Sequence, residues 1–190
     1  GNWTAANPPY GAVFTYSVNG NFGADEKLVL TIADENGRQI RRLDLDKSPA
    51  DNLRDLAKAK KVEMSDLVVC ILDRPRHSEL IAKVREAGAR IMLIGDGDVS
   101  GVIATSTGDS GIDIYMGSGG APEGVLAAAA LRAIGGQIQG RLLFRNDDER
   151  ARAHKWGITD LNRKYSMLDM AKGDVMFAAT GVTSGSMLKG

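Results

Sequence analysis

The sequence predicts an α/β fold: a mainly parallel sheet with helices on both faces, preceded by a β-hairpin segment. Three observations carry that reading. Short apolar runs recur along the chain at 67–72, 90–94 and 112–116. Stretches of helical length separate them. Each run ends in a polar loop containing glycine or proline. Runs this apolar suit strands covered on both faces, and the intervening helices supply the crossovers that parallel neighbours need.

The elements follow in order. Residues 1–46 read as a β-rich segment with runs at 12–18, 27–33 and 39–45. Asn36-Gly37 between the second and third run is a hairpin signal. Leu28, Leu30 and Ile32 alternate with Val29, Thr31 and Ala33, as in a half-buried strand. An α/β domain then occupies 47–190. Ser48 is an N-cap and Pro49 fits the first helical position, with the helix reaching about Lys60. A strand at 67–72, a helix at 76–87 ended by Gly88 and a strand at 90–94 come next. A helix from about Val99, a strand at 112–116 and a helix at 122–134 follow. The pattern closes with a strand at 136–144, a polar helix at 146–155 and a last strand at 175–179.

Composition excludes several classes. A chain of 190 residues is about one domain with room for a core. Lysine plus arginine equals aspartate plus glutamate, 24 each, so no net field favours nucleic acid or an anionic membrane. Aromatics at 5 % argue against a base-stacking platform. The single cysteine, Cys70, lies within an apolar run and reads as a small buried hydrophobe; a lone thiol fits a reducing compartment. No run is long enough to span a bilayer, and no signal peptide is visible.

In an open parallel sheet, ligands bind beyond the carboxyl ends of the strands. Three loops occupy those positions: Asp73-Arg74-Pro75-Arg76, Gly95-Asp96-Gly97-Asp98 and Gly117-Ser118-Gly119-Gly120 leading to Glu123. Arg74 and Arg76 suit phosphate, because guanidinium forks grip its oxygens, and Pro75 stiffens their turn. Read alone, the pair also fits solvated surface charge. Asp96 and Asp98 either cap the next helix or accept hydrogen bonds from sugar hydroxyls. Glu123, in the first turn of a helix, complements its N-terminus. Asp109 and Asp113 read as surface or turn residues, His77 as a polar residue of the helix start and Arg145 to Lys155 as a solvated helix. A dinucleotide fingerprint fails because its third glycine would fall on Pro122, and no Walker A sequence is present. The combination suits a phosphorylated, polyhydroxylated ligand.

The same loops carry a resemblance. Leu72-Asp73-Arg74-Pro75-Arg76-His77, Asp96-Gly97-Asp98-Val99 and Gly119-Gly120-Ala121-Pro122-Glu123-Gly124-Val125 resemble the class II fructose-1,6-bisphosphatases. That family includes cyanobacterial enzymes that also accept sedoheptulose 1,7-bisphosphate. Ala50-Asp51-Asn52-Leu53, Gly135-Gly136, Gly140-Arg141-Leu142-Leu143 and Phe177-Ala178-Ala179-Thr180-Gly181-Val182-Thr183 add matches in order. The resemblance runs from about Ser48 to Gly190 and corresponds to the second half of the family's catalytic unit. Residues 1–46 do not share it; 8–16 and 28–43 weakly resemble strands of β-sandwich modules from secreted, propeller-containing proteins.

The resemblance implies metal-dependent hydrolysis of a sugar 1-phosphate ester in gluconeogenesis or the Calvin cycle of a bacterial cytoplasm. It implies substrate contacts from Arg74, Pro75, Arg76, Asp96, Gly97, Asp98 and Gly120. Glu123 becomes a ligand of Mg²⁺ or Mn²⁺. The family's Asp-Pro-hydrophobic-Asp/Glu-Gly-Thr motif has no match, because the chain contains no Asp-Pro and its one Asp-Gly is followed by Asp98. The expectation is therefore a sugar-phosphate-binding half, inactive by itself and prone to homo-oligomerise through the face a missing partner leaves exposed. The rivals are a non-catalytic binding or structural remnant, and a fusion whose residues 1–46 act as an interaction module.

Overall fold

The computed structural model describes residues 43–185 and 187–190. The expected strands at 12–18 and 27–33 and the hairpin turn lie outside the described residues. Of the run 39–45, only 43–45 falls within them, as loop and turn.

Local signals set the helix ends. Helix α1 is Pro49–Lys60; the Ser48 hydroxyl accepts from the Asp51 N–H at 3.1 Å, and Lys61 closes the helix in the left-handed region. Strand β1, Val68–Leu72, leads through a 3₁₀ turn at Pro75–His77 into α2, Ser78–Ala87. The helix therefore starts two residues later than its apolar spacing predicts, because Pro75 favours the tighter turn. Gly88 ends α2 with φ 91°. Then come β2 (Arg90–Ile94), α3 (Asp98–Ala104), β3 (Ile114–Tyr115) and α4 (Ala121–Ile134).

Among the described residues, strand β1 is the centre of a three-stranded parallel sheet of order β2-β1-β3. Its register runs from Val68 opposite Arg90 to Leu72 opposite Ile94, with Val69 opposite Ile114 on the other side. The chain steps from β1 to one side and then back across β1 to the other. Right-handed crossovers in opposite directions put α2 and α3 on opposite faces. That reversal makes the β1/β3 edge a switch point, where the loops at the strand ends leave a crevice.

Both faces are packed. Val69 and Ile71 meet Leu53 and Ala57 of α1 and Val84 of α2. Leu53, Val69, Ile71 and Val84 are all fully buried, each worth roughly 1.5–3 kcal/mol of transfer free energy. On the other face Cys70 is buried as expected, and α3 approaches so closely that a Cβ at Gly101 would lie 3.2 Å from its sulfur. Behind α3, Val102 packs with Ala127 and Leu131 of α4.

Strand β3 is shorter than the expected 112–116, yet its ladder continues: Asp113 N–H donates to Val68 O and Met116 N–H to Cys70 O. Asp113 is no simple surface or turn residue. Its carboxylate accepts from Val68 N–H at 2.7 Å and pairs with Lys60. Burial pushes that carboxyl up, but the Lys60 and Val68 hydrogen bonds outweigh it and hold Asp113 below its ordinary value. This clamp ties the end of α1 to the start of β1.

The last third departs from expectation. Within 136–144 only β4, Gln139–Arg141, is strand, and it pairs antiparallel with β5, Lys164–Ser166. Gly135 is still in the left-handed turn that ends α4, and Leu143 is 70 % exposed. The polar helix is present as α5, Asp147–Lys155, capped by Asn146. A short α6, Met167–Met170, packs on α4. Residues 175–179 form no strand, and Met176 is 91 % exposed. Among the described residues no helix is long and apolar enough to cross a membrane.

Candidate functional site

Strand polarity brings the three loops to one end of the sheet. Asp73 N–H extends the β1/β2 ladder by donating to Ile94 O at 2.8 Å. The arginine loop leaves β1 at that level, the aspartate loop leaves β2, and the glycine turn leaves β3.

The closest junction spans β1 and β3. Arg76 Nε and Nη2 both donate to Ser118 O, at 3.1 and 2.8 Å. Two of its five N–H donors are engaged there, leaving three for a ligand. Arg74 is also exposed but turns back, with Nη1 donating to Asp73 O. The two arginines are therefore unequal: Arg76 bridges two loops and Arg74 stays on its own.

The sequence reading missed His77. It is 3 % exposed and holds the same Ser118 peptide from beneath. Its Nδ1 donates to Leu72 O at 2.8 Å, and its Nε2 accepts from Ser118 N–H at 2.9 Å. Tyr115 was read only as a strand residue. It is half-buried, and its hydroxyl would lie 3.6 Å from a Cβ at Gly117. Burial, then the Asp98 carboxylate, pushes that hydroxyl up to about 12, so it remains a neutral phenol at physiological pH. No periodicity in the sequence could have exposed either role, since both depend on which loop lies opposite.

Asp98 and Glu123 approach the glycine turn from two elements. A Cβ at Gly119 would lie 2.7 Å from Asp98 Oδ2, and the Glu123 carboxylate fills the space a Cβ at Gly120 would take. Glycine is required at both positions for this close approach. Glu123 thus folds over the first turn of α4, whose N-cap, Gly120, offers no side chain of its own. Asp98 sits at the first position of α3 and accepts from Val99 N–H at 3.0 Å; the N-cap is Gly97, with φ 73°. Asp96 is exposed and caps nothing.

A divalent cation needs several oxygen ligands. Among the described residues no group of three His, Cys, Asp or Glu side chains could hold one. Glu123 and its surroundings therefore do not fit a complete metal centre, although Glu123 is free to supply one ligand.

The family described as bacterial fructose-1,6-bisphosphatase, glpX-encoded, matches residues 26–190. The match begins upstream of Ser48 and so reaches into the segment that the motifs left out. Relatives named D-fructose 1,6-bisphosphatase class 2/sedoheptulose 1,7-bisphosphatase occur in Crocosphaera subtropica, Trichodesmium erythraeum and Microcystis aeruginosa. The first is 40 % identical over 162 residues, covering 78 % of this chain and 47 % of the relative. The second is 39 % and the third 40 % identical, each over 161 residues with the same coverage. The chain thus spans about half the length of these relatives. Most of its length, the strand-end loops included, falls within the family match, and the chain belongs to the glpX-encoded bacterial fructose-1,6-bisphosphatase family.

Proposed function

We propose that this chain is the sugar-phosphate-binding half of a sugar bisphosphatase, and that it is catalytically inactive alone. The observation that carries the proposal is the bidentate bridge from Arg76 to Ser118, which joins two strand-end loops at the switch point and leaves three donors over. In this reading Arg76, with Arg74, holds the distal phosphate, and Pro75 fixes their turn. Asp96 and Asp98, set apart by the left-handed Gly97, accept from sugar hydroxyls. Gly120 presents backbone beside Glu123. The substrate is fructose 1,6-bisphosphate or sedoheptulose 1,7-bisphosphate, after the names of the relatives.

The parent reaction would be hydrolysis of a sugar 1-phosphate ester, for which a bound Mg²⁺ or Mn²⁺ would supply Lewis-acid activation of water. Glu123 would contribute one ligand to that ion. Among the described residues no group of three candidate ligands accompanies it. That absence also favours the second reading, a non-catalytic sugar-phosphate-binding fragment. We place the parent enzyme in bacterial cytoplasmic carbon metabolism, in gluconeogenesis or the Calvin cycle. A homo-oligomer is the proposed assembly, supported by Met92 and Leu93 on β2, each 41 % exposed on an outer strand of the sheet.

Calorimetry with fructose 1,6-bisphosphate tests binding, and phosphate release in millimolar Mn²⁺ tests catalysis. The proposal expects weak binding, lost in Arg76→Ala, and no turnover above a Glu123→Ala control. Equal binding by both proteins would remove Arg76 from the site. Multiple turnovers abolished by Glu123→Ala would show a working centre.

A further inference from the structure

We infer that His77 is a positioning residue of this site: by holding the Ser118 peptide it fixes the distance between the arginine loop and the glycine turn. The inference rests on the sugar-phosphate reading above and adds a residue to it.

Leu72 O can only accept, so His77 Nδ1 must carry a hydrogen. Ser118 N–H can only donate, so Nε2 must be bare. Both contacts hold only for the neutral Nδ1–H tautomer. The ring therefore acts as a spacer with one fixed donor and one fixed acceptor, running from the last residue of β1 to the glycine turn.

Consecutive side chains grip the backbone of one residue, Ser118, from two sides. His77, buried, takes the Ser118 N–H, while Arg76, exposed, takes the Ser118 carbonyl. The 3₁₀ turn at Pro75–His77 sends the neighbours in these different directions. The ring also packs on Gly117, where a Cβ would lie 3.3 Å from both Cε1 and Nε2. Ser118 is thus held relative to Arg76, and the same turn leads directly into Gly119 and Gly120, where Asp98 and Glu123 converge. A misplacement of about 1 Å in such an arrangement is enough to weaken recognition strongly. The ring thereby couples the end of β1 to the glycine turn through both of its nitrogens.

The test uses the full chain as wild type, His77→Gln, His77→Phe and His77→Asn. Nitrogen NMR of the imidazole reads the tautomer, amide exchange reads the Ser118 hydrogen bond, and calorimetry reads affinity for fructose 1,6-bisphosphate. The expected tautomer is Nδ1–H. His77→Phe removes both hydrogen bonds, so Ser118 exchange should quicken and affinity should fall by about tenfold. Glutamine, with one donor and one acceptor, should restore most of both. If His77→Phe fails to fold, His77→Asn decides: asparagine can still donate to Leu72 O but is too short to reach Ser118, so affinity should fall as in His77→Phe. An Nε2–H tautomer, undiminished affinity in His77→Phe or His77→Asn, or equal losses in His77→Gln and His77→Phe would overturn the role. A wild-type chain that binds no sugar phosphate would overturn the proposed function, and this role with it.

Discussion

Residues 48–134 and 135–190 are held together by different physics. In the first region the helices α1 and α2 and the central strand β1 pack around buried apolar side chains, with Leu53, Ile71 and Val84 fully enclosed. In the second, charge carries much of the connectivity. Lys164 bridges Asp44 and Asp46 at 2.7 and 2.6 Å, Arg141 reaches Asp46, and Arg163 pairs with Asp169 while lying 4.9 Å over the Tyr165 ring. Trp156, Met176 and Val182 are largely exposed. The contrast explains where the candidate site lies: it sits on loops anchored by the buried sheet, whose strand ends are fixed in register.

The sharpest way to break this comparison is truncation in each region. Leu53→Ala or Ile71→Ala should cost about 2–5 kcal/mol by urea unfolding, because each opens a cavity in the core. Met176→Ala should stay within about 0.5 kcal/mol. Comparable losses would mean the tail is packed as the core is.

The next effect is on ligand affinity. Arg76→Ala should weaken binding of fructose 1,6-bisphosphate by about 1.5–3 kcal/mol, the range for a charged hydrogen bond. Arg74→Ala should cost less, because its guanidinium is turned onto Asp73 O. Calorimetry on the two variants ranks them, and the reverse order would break the asymmetry between the arginines. Gly119→Ala should leave the unfolding transition in place yet reduce affinity by about tenfold, since the new Cβ would lie 2.7 Å from Asp98 Oδ2.

The smallest effect is electrostatic. The Lys164 hydrogen bond, foremost, holds the Asp44 and Asp46 carboxyls below their ordinary 3.8. Their contribution is therefore present above 3.8 and disappears as pH falls through the lower folded values. Lys164 is raised above 10.5 by the same partners, Asp44 first, so its share is complete below 10.5 and fades as pH rises through its folded value. Amide exchange at residues 44–46 should quicken at both extremes before the core does, and added salt should weaken the effect because the groups are exposed. Exchange that rises together with the core would join the two regions into one unit.

Legibility in the sequence follows the same divide. Ser48-Pro49, Gly88 and the run 90–94 gave their elements almost to the residue, because caps and short apolar runs bounded by glycine are written in local chemistry. Arg76 and the glycine turn were legible as strand-end loops, and polarity alone brought them to one end of the sheet. His77 was not, since its burial depends on Ser118, forty-one positions away. Strand β5 was not legible either: Lys164-Tyr165-Ser166 carries no apolar alternation, and only its pairing with β4 makes it a strand. The run 175–179 misled for the opposite reason: its apolar pattern reads as a strand, yet Met176 within it is 91 % exposed.

The most direct test of the central claim is a backbone NMR titration of the full chain with fructose 1,6-bisphosphate. Amide shifts should concentrate at 74–77, 96–98 and 117–123, with 139–141 and 164–166 unmoved. Shifts centred on the small antiparallel sheet, or none at saturating ligand, would contradict a sugar-phosphate site at the ends of the parallel strands.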